Sequence, residues 1–541
     1  MIRILSITIA TVGLVSTLTF AGPARGNDAS TQNASTAFIA DPNNPSNDQP
    51  IDSPGVTSPL TAAQIARAYP QDALTGAALD GPVVLQSKGG MSVRVVKLAE
   101  GLSHPDGLVF LPDGRTLLIT ERPGRLRIVK DGVLNPMPVT GLPRINNVGL
   151  GGLHDIVLHP DFANNQLLYI SYTKAREPKK GTTLAILRAR FEEGRLTAVQ
   201  DVLVADAWES PLGTYGGRMV FGPDGMLYIS VGDRDGTTSS DQSSARPQAQ
   251  KLDSDIGKIL RVRDDGSIPP DNPFVSHPNA NGEIYSYGHR NVYGIDWDPD
   301  TGEMWASEFG PAGGDEINRV IPGHNYGWPL VSLGRHYSGS LVSDQPWHRD
   351  GMDDPLFFWN PSFNPENMFF YTGDKFPRLK GSLMVAGARS KKIAQIVIRG
   401  DFIKQGDTML SELGVRFRDI RQGPDGYIYV LTEGRLRGPN DTDGMLLKLE
   451  PPTATAVATV AATTSAENLT LPDAPGKQQI VDLCTRCHGV DLITAQRRSP
   501  DEWMQVVSIM VGNGMALTDD EYSTVVRYLS ENLASPATGP H

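Results

Sequence analysis

The chain's only two cysteines stand three positions apart and are followed at once by a histidine, in Cys484-Thr485-Arg486-Cys487-His488. Two thiols at this spacing can bond to the vinyl groups of a haem while the histidine ligates its iron. A zinc site would need two further ligands at matched spacing, and a thioredoxin-like site would need a βαβ context; the sequence offers neither. The motif therefore predicts a c-type haem bound through Cys484, Cys487 and His488.

The sixth iron ligand must come from the segment after the motif, where Met510 and Met515 are the candidates. A single methionine more often fills a core, so both stay open. The segment resembles small bacterial cytochrome c domains in carrying Trp503, Met510 and Tyr528-Leu529 in order after the motif. That resemblance favours Met510 over Met515.

Helical patterns surround this motif. They cover Gln478–Cys487, Asp501–Met510 and Asp519–Leu533. Thr518 and Glu521 form a capping-box signal at the start of the last helix. We expect a small all-α cytochrome c domain at residues 476–536, joined by a linker rich in Pro, Thr, Ala and Val at residues 451–475.

Residues 91–450 repeat one theme, in which an apolar strand, a Pro-Asp turn and a second apolar strand follow each other. The five hairpins lie at Val109–Thr120, Val157–Ser171, Met219–Ser230, Ile295–Ala306 and Arg421–Leu431. A sixth hairpin, Ser382–Val385 with Ile393–Val397, falls in the one double-length gap. Such repeats predict an all-β six-bladed propeller. A pair of β-sandwiches would explain the hairpins but not their regular return.

The N-terminus has the pattern of a secretory signal peptide at residues 1–24. Arg3 precedes an apolar run from Ile4 to Phe20, and small residues follow at Ala21, Gly22 and Ala24. The alternative is a membrane anchor, because the run is near the lower length limit for a span. Residues 25–90 are predicted to be a partly disordered leader, and the protein is expected in the periplasm, soluble or loosely membrane-associated.

Composition sets wider limits on the function. With 541 residues the chain is long enough for two or three domains. The formal net charge of −12 argues against a nucleic-acid partner and suits a basic or neutral redox partner.

A haem with two protein ligands carries single electrons, so the propeller is expected to hold a two-electron cofactor. No Gly-x-Gly-x-x-Gly follows a strand and opens a helix, which disfavours a nicotinamide. Arg416 and Arg418, on one face of a strand, together with Arg290 would suit a planar cofactor with several carboxylates. Glycines beside Asp315 and Glu316 would let backbone carbonyls turn toward calcium.

Over roughly residues 95–450 the chain resembles the soluble glucose and aldose sugar dehydrogenases that depend on pyrroloquinoline quinone (PQQ), a family that includes L-sorbosone dehydrogenases. The motifs that carry the resemblance are Gly151-Gly152-Leu153, His159-Pro160-Asp161-Phe162, Gly216-Gly217-Arg218, Gly257-Lys258-Ile259-Leu260-Arg261, Asp271-Asn272-Pro273-Phe274, Gly288-His289-Arg290-Asn291, Gly313-Gly314-Asp315-Glu316-Ile317-Asn318, Asn325-Tyr326-Gly327-Trp328-Pro329 and Arg416-Phe417-Arg418-Asp419. The family fold is a six-bladed propeller, which agrees with the repeat count.

The resemblance implies a set of cofactor residues. Those expected to contact or line the quinone are Arg218, Arg290, Asn291, Ser362, Arg389, Arg416 and Arg418. Backbone carbonyls of Gly310 and Pro311 would hold a calcium ion with Asp315 close by, and Glu316 and Tyr326 match a second calcium site of some relatives.

Three positions depart from the family pattern. Thr214 stands where the family has a histidine as general base, and threonine cannot act as a base near neutral pH. Phe309 replaces a polar residue, and Tyr293 stands where some relatives have glutamine. The expected replacement base is His154; its alternative is a satisfied buried histidine.

Tyr215 and Asp155 are lesser candidates for the base. The predicted reaction is oxidation of an aldose or sugar aldehyde, with electrons passed to the tethered haem and then to an external cytochrome or the respiratory chain. A homodimer is left open. The rival hypotheses are a non-catalytic propeller binding protein with an electron-transfer haem domain, and a quinoprotein alcohol or amine dehydrogenase. The latter would need an eight-bladed Trp-repeat propeller or a peptide-derived quinone.

Overall fold

A computed structural model describes residue 79, most of residues 81–452, residues 471–484 and short stretches from 493 to 534. Inside the long range, it leaves out 177–180, 211, 236–243, 337–339, 347, 401 and 434–441. The predicted signal peptide, Cys487, His488, Met510 and Met515 lie outside the described residues. The same holds for the linker segment 453–470.

The described residues form six antiparallel sheets around one axis. Five sheets are four-stranded: β3 Pro105–Phe110, β4 Thr116–Glu121, β5 Arg125–Lys130, β6 Val133–Leu134; β7 Leu153–Leu158, β8 Leu167–Ala175, β9 Thr182–Glu192, β10 Arg195–Val204; β11 Gly216–Phe221, β12 Leu227–Val231, β13 Lys258–Val262, β14 Ile284–Tyr287; β15 Val292–Trp297, β16 Met304–Glu308, β17 Asp315–Val320, β18 Phe357–Trp359; β19 Pro365–Phe370, β20 Leu383–Gly387, β21 Lys392–Arg399, β22 Phe402–Met409. The sixth runs β1 Val83–Gln86, β2 Ser92–Leu102, β25 Gly444–Glu450, β24 Ile428–Glu433, β23 Arg416–Gln422.

The first strands of the blades close into a ring. Each of β3, β7, β11, β15, β19 and β23 contacts the next in that order, and β23 returns to β3. The all-β six-bladed propeller is confirmed. Its last blade joins both ends of the range, because β2 pairs with β25. The sheet begins at Val83, so the leader predicted for residues 25–90 includes a strand.

Polar turns set the hairpins, as the Pro-Asp pattern predicts. Asp113 accepts hydrogen bonds from the backbone N–H groups of Arg115 and Thr116, and Gly114 adopts a φ of +66°. Apolar residues then fill the spaces between blades; Leu108, Ile119 and Leu446, for example, are almost completely buried in one such cluster. Turn chemistry and alternation together therefore specify the blade.

Aspartates on the inner strands tie each alternate blade to the following one. The carboxylate of Asp419 accepts the backbone N–H of Leu108 at 2.7 Å, and that of Asp155 accepts the N–H of Met219 at 2.9 Å. Asp296 likewise accepts from Phe370 at 2.8 Å. These bonds satisfy buried N–H groups of neighbouring blades.

A β-bulge interrupts the pairing of every inner strand near its start. The residues between the paired positions are Asp106, His154-Asp155, Gly217-Arg218, Tyr293, Glu366-Asn367 and Arg418. A bulge redirects side chains. Here it brings charged side chains from five blades, and Tyr293 from the sixth, to the axis.

The segment after the linker contains helices. Besides the single turn α1 (Phe162–Asn165), the structure has α2 (Lys477–Cys484) and α3 (Asp519–Asn532). The capping box of Thr518 and Glu521 is confirmed at the start of α3. The helix predicted for Asp501–Met510 is described at four of its residues, all helical. An all-α cytochrome c domain stays a prediction.

These helices share one apolar core. Trp503 lies at its centre, 2% exposed, and donates to the carbonyl of Leu533 at 3.0 Å. Ile480 of α2 and Tyr528 of α3 pack into the same cluster. No helix within the described part of the chain is long and apolar enough to cross a membrane.

We expect Asp419→Ala to lower the free energy of unfolding of the propeller by about 3 kcal/mol, because it leaves the N–H of Leu108 and the side-chain amide of Asn367 buried without their acceptor and removes one of the two carboxylates that pair with Arg421. Thermal and urea unfolding of the full chain measure the change. Asp374→Ala, which removes an exposed carboxylate paired with Lys380, is the matched control and leaves stability unaltered. Equal stability of both variants would contradict the role given to Asp419.

Candidate active site

One face of the propeller gathers most of the predicted site. On that face the inner strands begin and the second strands end, as the pairing of Val292 with Glu308 and of Arg416 with Glu433 shows. The predicted residues on or next to these strand ends are Thr214, Tyr215, Arg290, Asn291, Gly310, Pro311, Asp315, Glu316, Ser362, Arg389 and Arg416. They come from four consecutive blades, which explains their wide spacing in the sequence.

The bulge residues lie on the axis and link separate blades. Arg418 donates to Glu366 Oε1 at 2.7 Å and to Asp106 Oδ1 at 3.0 Å, and its Nε lies 3.9 Å from Glu433 Oε2. Arg416 also reaches this glutamate, at 3.7 Å, so both arginines are on one side of β23 as predicted. Arg418 therefore already has two or three carboxylates around it.

Burial raises the pKa of Glu366 to about 8, against the effect of Arg418. By contrast, Arg418 holds the pKa of Asp106 far below its usual range, although burial acts in the other direction. One guanidinium cannot neutralise every carboxylate around it, so Glu366 keeps its proton near neutral pH.

Arg218 belongs to the axis rather than to the quinone face proposed from the sequence. It pairs with Asp155 at 3.1 Å, lies 3.9 Å from Asp419 of the opposite blade, and donates to the carbonyl of Tyr293. Asp155 in turn also pairs with Arg421 at 3.0 Å. Both Asp155 and Arg218 thus serve as links across the axis.

Arg290 and Asn291 stand at the start of β15 and are nearly buried. Arg290 donates to the carbonyl of Phe309 at 2.7 Å, and its guanidinium lies 5.4 Å from the centre of the Trp328 ring. Asn291 accepts the N–H of Gly216 through Oδ1, whereas its buried Nδ2 has no hydrogen-bond partner among the described residues. An amide N–H₂ without an acceptor is directed toward this face.

Asp315 organises the loop that carries the predicted calcium ligands. Its carboxylate accepts from the N–H of Gly310, the hydroxyl of Ser362 and the N–H of Asn364, at 2.6–2.9 Å. Burial raises the pKa of Asp315, while these bonds and the charge of Arg389 oppose the rise. The carbonyl of Pro311 accepts the N–H of Arg335. Ser362, Arg389 and the Gly310 loop are therefore brought together by one carboxylate.

Two glutamates face each other beside Arg290. Glu308 and Glu316 are paired in register on β16 and β17 and line a cavity of about 10 Å³, with room for one water molecule or ion. Burial and the charge of Glu308 raise the pKa of Glu316 well above its usual range. Tyr326 also lines the cavity, but its hydroxyl is bonded to the backbone of Arg319 and Ile321.

The candidate bases differ in how fully they are bonded. His154 is 3% exposed; its Nε2 lies 3.0 Å from Thr173 Oγ1 and its Nδ1 3.4 Å from Asp106 Oδ2. Burial lowers its pKa, although Asp106 opposes this. Its carboxylate partner is Asp106, not the adjacent Asp155, because neighbouring strand residues point in opposite directions.

Tyr215 is also fully buried. Its hydroxyl lies 2.7 Å from Thr182 Oγ1, and the guanidinium of Arg234 stacks 3.6 Å from its ring centre. Thr214 donates its hydroxyl proton to Asp233 at 2.6 Å. At the position where the family has its general base, this chain thus has a hydroxyl group that donates a hydrogen bond to a carboxylate.

Comparison with known proteins agrees with this geometry. The family model described as "Glucose / Sorbosone dehydrogenase" matches residues 102–441. The chain belongs to the glucose/sorbosone dehydrogenase family. The match covers all the residues of the face described above, and it ends before α2.

Solved and curated relatives match one half to two thirds of this chain. The crystal structure of the soluble aldose sugar dehydrogenase from Escherichia coli in its apo form is 37% identical, covers 66% of this chain and 100% of its own, and has a TM-score of 0.61. The PQQ-bound aldose sugar dehydrogenase from Streptomyces coelicolor is 29% identical, with 67% and 100% covered and a TM-score of 0.53. Quinoprotein glucose dehydrogenase B of Acinetobacter calcoaceticus is 31% identical over 52% of this chain and 57% of its own.

Several carboxylates at the centre of this site are not among the residues predicted from the sequence. Asp106, Glu366, Glu433 and Asp233 were not predicted, although their carboxylates bond Arg418, Arg416 or Thr214. Each stands within two residues of a strand end. An acidic residue in that place is the available signal, because a buried carboxylate needs a partner.

We expect Glu366→Gln to change how stability depends on pH. An acid whose pKa is raised on folding binds more protons in the folded state, so it destabilises the native chain progressively as pH rises from about 4.5 to about 8. The variant loses this dependence, and its melting temperature relative to the parent should increase across pH 5–8. Thermal scans at several pH values measure it. A constant difference would show that Glu366 is ionised throughout.

Proposed function

We propose that the protein is an exported dehydrogenase that oxidises an aldose or sugar aldehyde with PQQ and passes the electrons to a haem c bound through Cys484, Cys487 and His488. The observation that carries the proposal is the face of a glucose/sorbosone dehydrogenase propeller on which Arg290, Asn291 and Arg389 converge. A relative with this fold is described as PQQ-bound. The haem half rests on the Cys-x-x-Cys-His motif alone.

The face fits a flat molecule with several carboxylates. Arg290 and Arg389 supply planar guanidinium donors, and Asn291 Nδ2 is a buried donor that lacks an acceptor within the described chain. The rings of Trp328 and Phe309 border Arg290. Guanidinium groups bind carboxylates with two parallel hydrogen bonds, so donors of this kind suit PQQ, a tricarboxylate. Arg218 and Arg418 are engaged by protein carboxylates and act beneath the face.

Calcium also fits the donor set. The Glu308–Glu316 pair offers two carboxylates at one small cavity, and a divalent cation would remove the repulsion that raises the pKa of Glu316. The carbonyls of Gly310 and Pro311 are held by the loop that Asp315 organises. Hard oxygen ligands of this kind suit calcium.

When bound, the quinone would accept a hydride from the sugar, with calcium polarising its carbonyl. The chain's own residues would orient it: Arg290, Arg389 and Asn291 hold its polar edge, while Phe309 and Trp328 exclude water. Arg418 and its carboxylates make a rigid, charge-balanced floor. The linker would keep the haem at high local concentration, and an external cytochrome or the respiratory chain would take the electrons onward. The periplasm follows from the signal-peptide pattern.

The direct experiment reconstitutes the purified full chain with PQQ and calcium, adds a panel of aldoses and sugar aldehydes, and follows haem absorbance. We expect reduction that requires quinone, calcium and one class of sugar. Haem that dithionite reduces but no sugar does would favour a non-catalytic binding protein.

The haem assignment is tested separately by Cys484→Ala. We expect the variant to lose covalent haem in a pyridine haemochrome assay, because one of two thioether bonds and the local geometry are lost, yet to keep sugar oxidation with an artificial dye acceptor. Retention of wild-type covalent haem would contradict the assignment.

His154→Gln distinguishes the two interpretations of the histidine. Because Nε2 is hydrogen-bonded to Thr173 at 3.0 Å and Nδ1 lies 3.4 Å from the carboxylate of Asp106, we expect turnover within about threefold of the parent and a lower melting temperature. A loss of about a hundredfold or more in turnover, with quinone still bound, would identify His154 as the base.

A further inference from the structure

Asp233 is a buried carboxylate that none of the roles above uses. It lies two residues after the end of β12 and is 0% exposed. Its Oδ1 accepts the hydroxyl of Thr214 at 2.6 Å and the N–H of Asp235 at 3.1 Å. Its Oδ2 has no hydrogen-bond partner among the described residues. One oxygen is therefore fixed, and the other keeps its acceptor capacity.

The surroundings of Asp233 belong to the proposed quinone face. Its backbone N–H donates to the carbonyl of Arg290 at 2.7 Å, so the segment after β12 is joined to the start of β15. Gly232, just before it, lies against Asn291 Oδ1 and the carbonyl of Thr214, without room for a Cβ. The carboxylate thus lies among the residues that the family resemblance implies for binding the quinone and for the general base.

The charged side chains of Asp235 and Arg234, next to Asp233 in the sequence, form ion pairs or hydrogen bonds with other groups. Asp235 pairs with Arg246 at 2.6 Å, and Arg246 also bonds His336 Nδ1 at 2.8 Å. Arg234 donates to backbone carbonyls of Thr214, Ala207 and Ser210. Burial raises the pKa of Asp233; Arg290 opposes the rise and Asp235 adds to it. A carboxylate with a raised pKa is a stronger base than an ordinary one.

The proposed reaction needs a proton acceptor next to Thr214, and threonine itself cannot serve. We propose that Asp233 is the general base of this chain, with Thr214 fixing its Oδ1 and leaving Oδ2 for the substrate hydroxyl. This rests on the proposed dehydrogenase function. The sugar O–H bond breaks and its proton goes to Oδ2. The C1–H bond breaks and the hydride goes to the quinone, so the sugar loses two electrons and the quinone gains them. Asp233 then releases the proton to solvent.

The other candidates are less suited in the structure. The Nε2 of His154 is hydrogen-bonded to Thr173 Oγ1, its Nδ1 lies 3.4 Å from the carboxylate of Asp106, and its ring is buried beside the axis rather than beside Thr214. Asp155 is committed to Arg218, Arg421 and two backbone N–H groups. The hydroxyl of Tyr215 is bonded to Thr182. Among these groups, Asp233 alone combines a free carboxylate oxygen with direct contact to Thr214.

The first test needs no cofactor. Infrared difference spectra of the apoprotein, recorded during a pH titration, detect the C=O stretch of protonated buried carboxyls. We expect one band that titrates well above pH 4 to disappear in Asp233→Asn. Asp255→Asn, another buried aspartate with a raised pKa but with hydrogen bonds to both oxygens, is the matched control and should leave that band in place. Other buried carboxyls with raised pKa values, such as Glu366, keep their own bands in every variant. An Asp233→Asn spectrum that retains all the titrating bands of the parent would overturn the proposal.

The second test uses the reconstituted holoprotein with a sugar that the parent oxidises. Asp233→Asn should bind PQQ with unaltered affinity and lower kcat by about a hundredfold or more, because general-base assistance is lost. Adding Thr214→His to this variant supplies an imidazole at the same place and should restore part of kcat. Turnover of Asp233→Asn within threefold of the parent would overturn the proposal. An inactive parent would instead refute the dehydrogenase function itself.

Thr214→Val keeps the carboxylate and serves if Asp233→Asn folds poorly. Loss of the hydroxyl donor destabilises the ionised carboxylate and raises the pKa of Asp233. A base must be deprotonated, so the acid limb of the kcat/KM profile should move to higher pH. An unmoved acid limb would count against Asp233.

Discussion

The guanidinium of Arg418 holds the axis of the propeller together. It bonds Glu366 on one neighbouring blade and Asp106 on the other, so a single side chain of β23 joins three blades. These bonds form because bulges redirect the first residues of each inner strand to the axis. Removing one member of this ion network would leave another buried charge without its counter-ion, which strongly destabilises the fold. The site above the axis depends on the spacing that this network fixes.

The charge balance of the network also shapes what the face can bind. Protein carboxylates engage Arg418 and Arg218 below the face, and Arg290 donates to the carbonyl of Phe309 beside the Trp328 ring. These arginines therefore differ in their partners. The sequence alone does not distinguish them, because the carboxylates that engage Arg418 and Arg218 are contributed by other blades.

Much of the fold was accessible from the sequence, because hairpins with Pro-Asp turns repeat and each turn carries its own local chemistry. The blade formed by β19–β22 was recognised through its second and third strands, since its inner strand begins with Pro365-Glu366-Asn367 and lacks the usual turn afterwards. The resemblance implies one shared site for Arg290, Asn291, Ser362 and Arg389, and the structure has all four on one face; their contact with a quinone stays a prediction. Asp106, Glu366 and Asp233 were not anticipated, because their partners lie on other blades and no local pattern records such pairs. The ion pair between Arg218 and Asp155, which engages this arginine at the axis, was not predicted for the same reason.

The strand pairing in the sixth sheet constrains how the propeller folds. Strand β2 pairs with β25, some 340 positions later, and β1 extends that sheet on the outside. Until the last strands are available, the early ones have an unpaired edge and the ring stays open. The first blade can form, but the circle cannot close on a partial chain. Closure of the propeller ring therefore requires the strand just before the linker. A chain that ends earlier would expose unpaired strand edges, which can aggregate, and would lack a closed ring beneath the site.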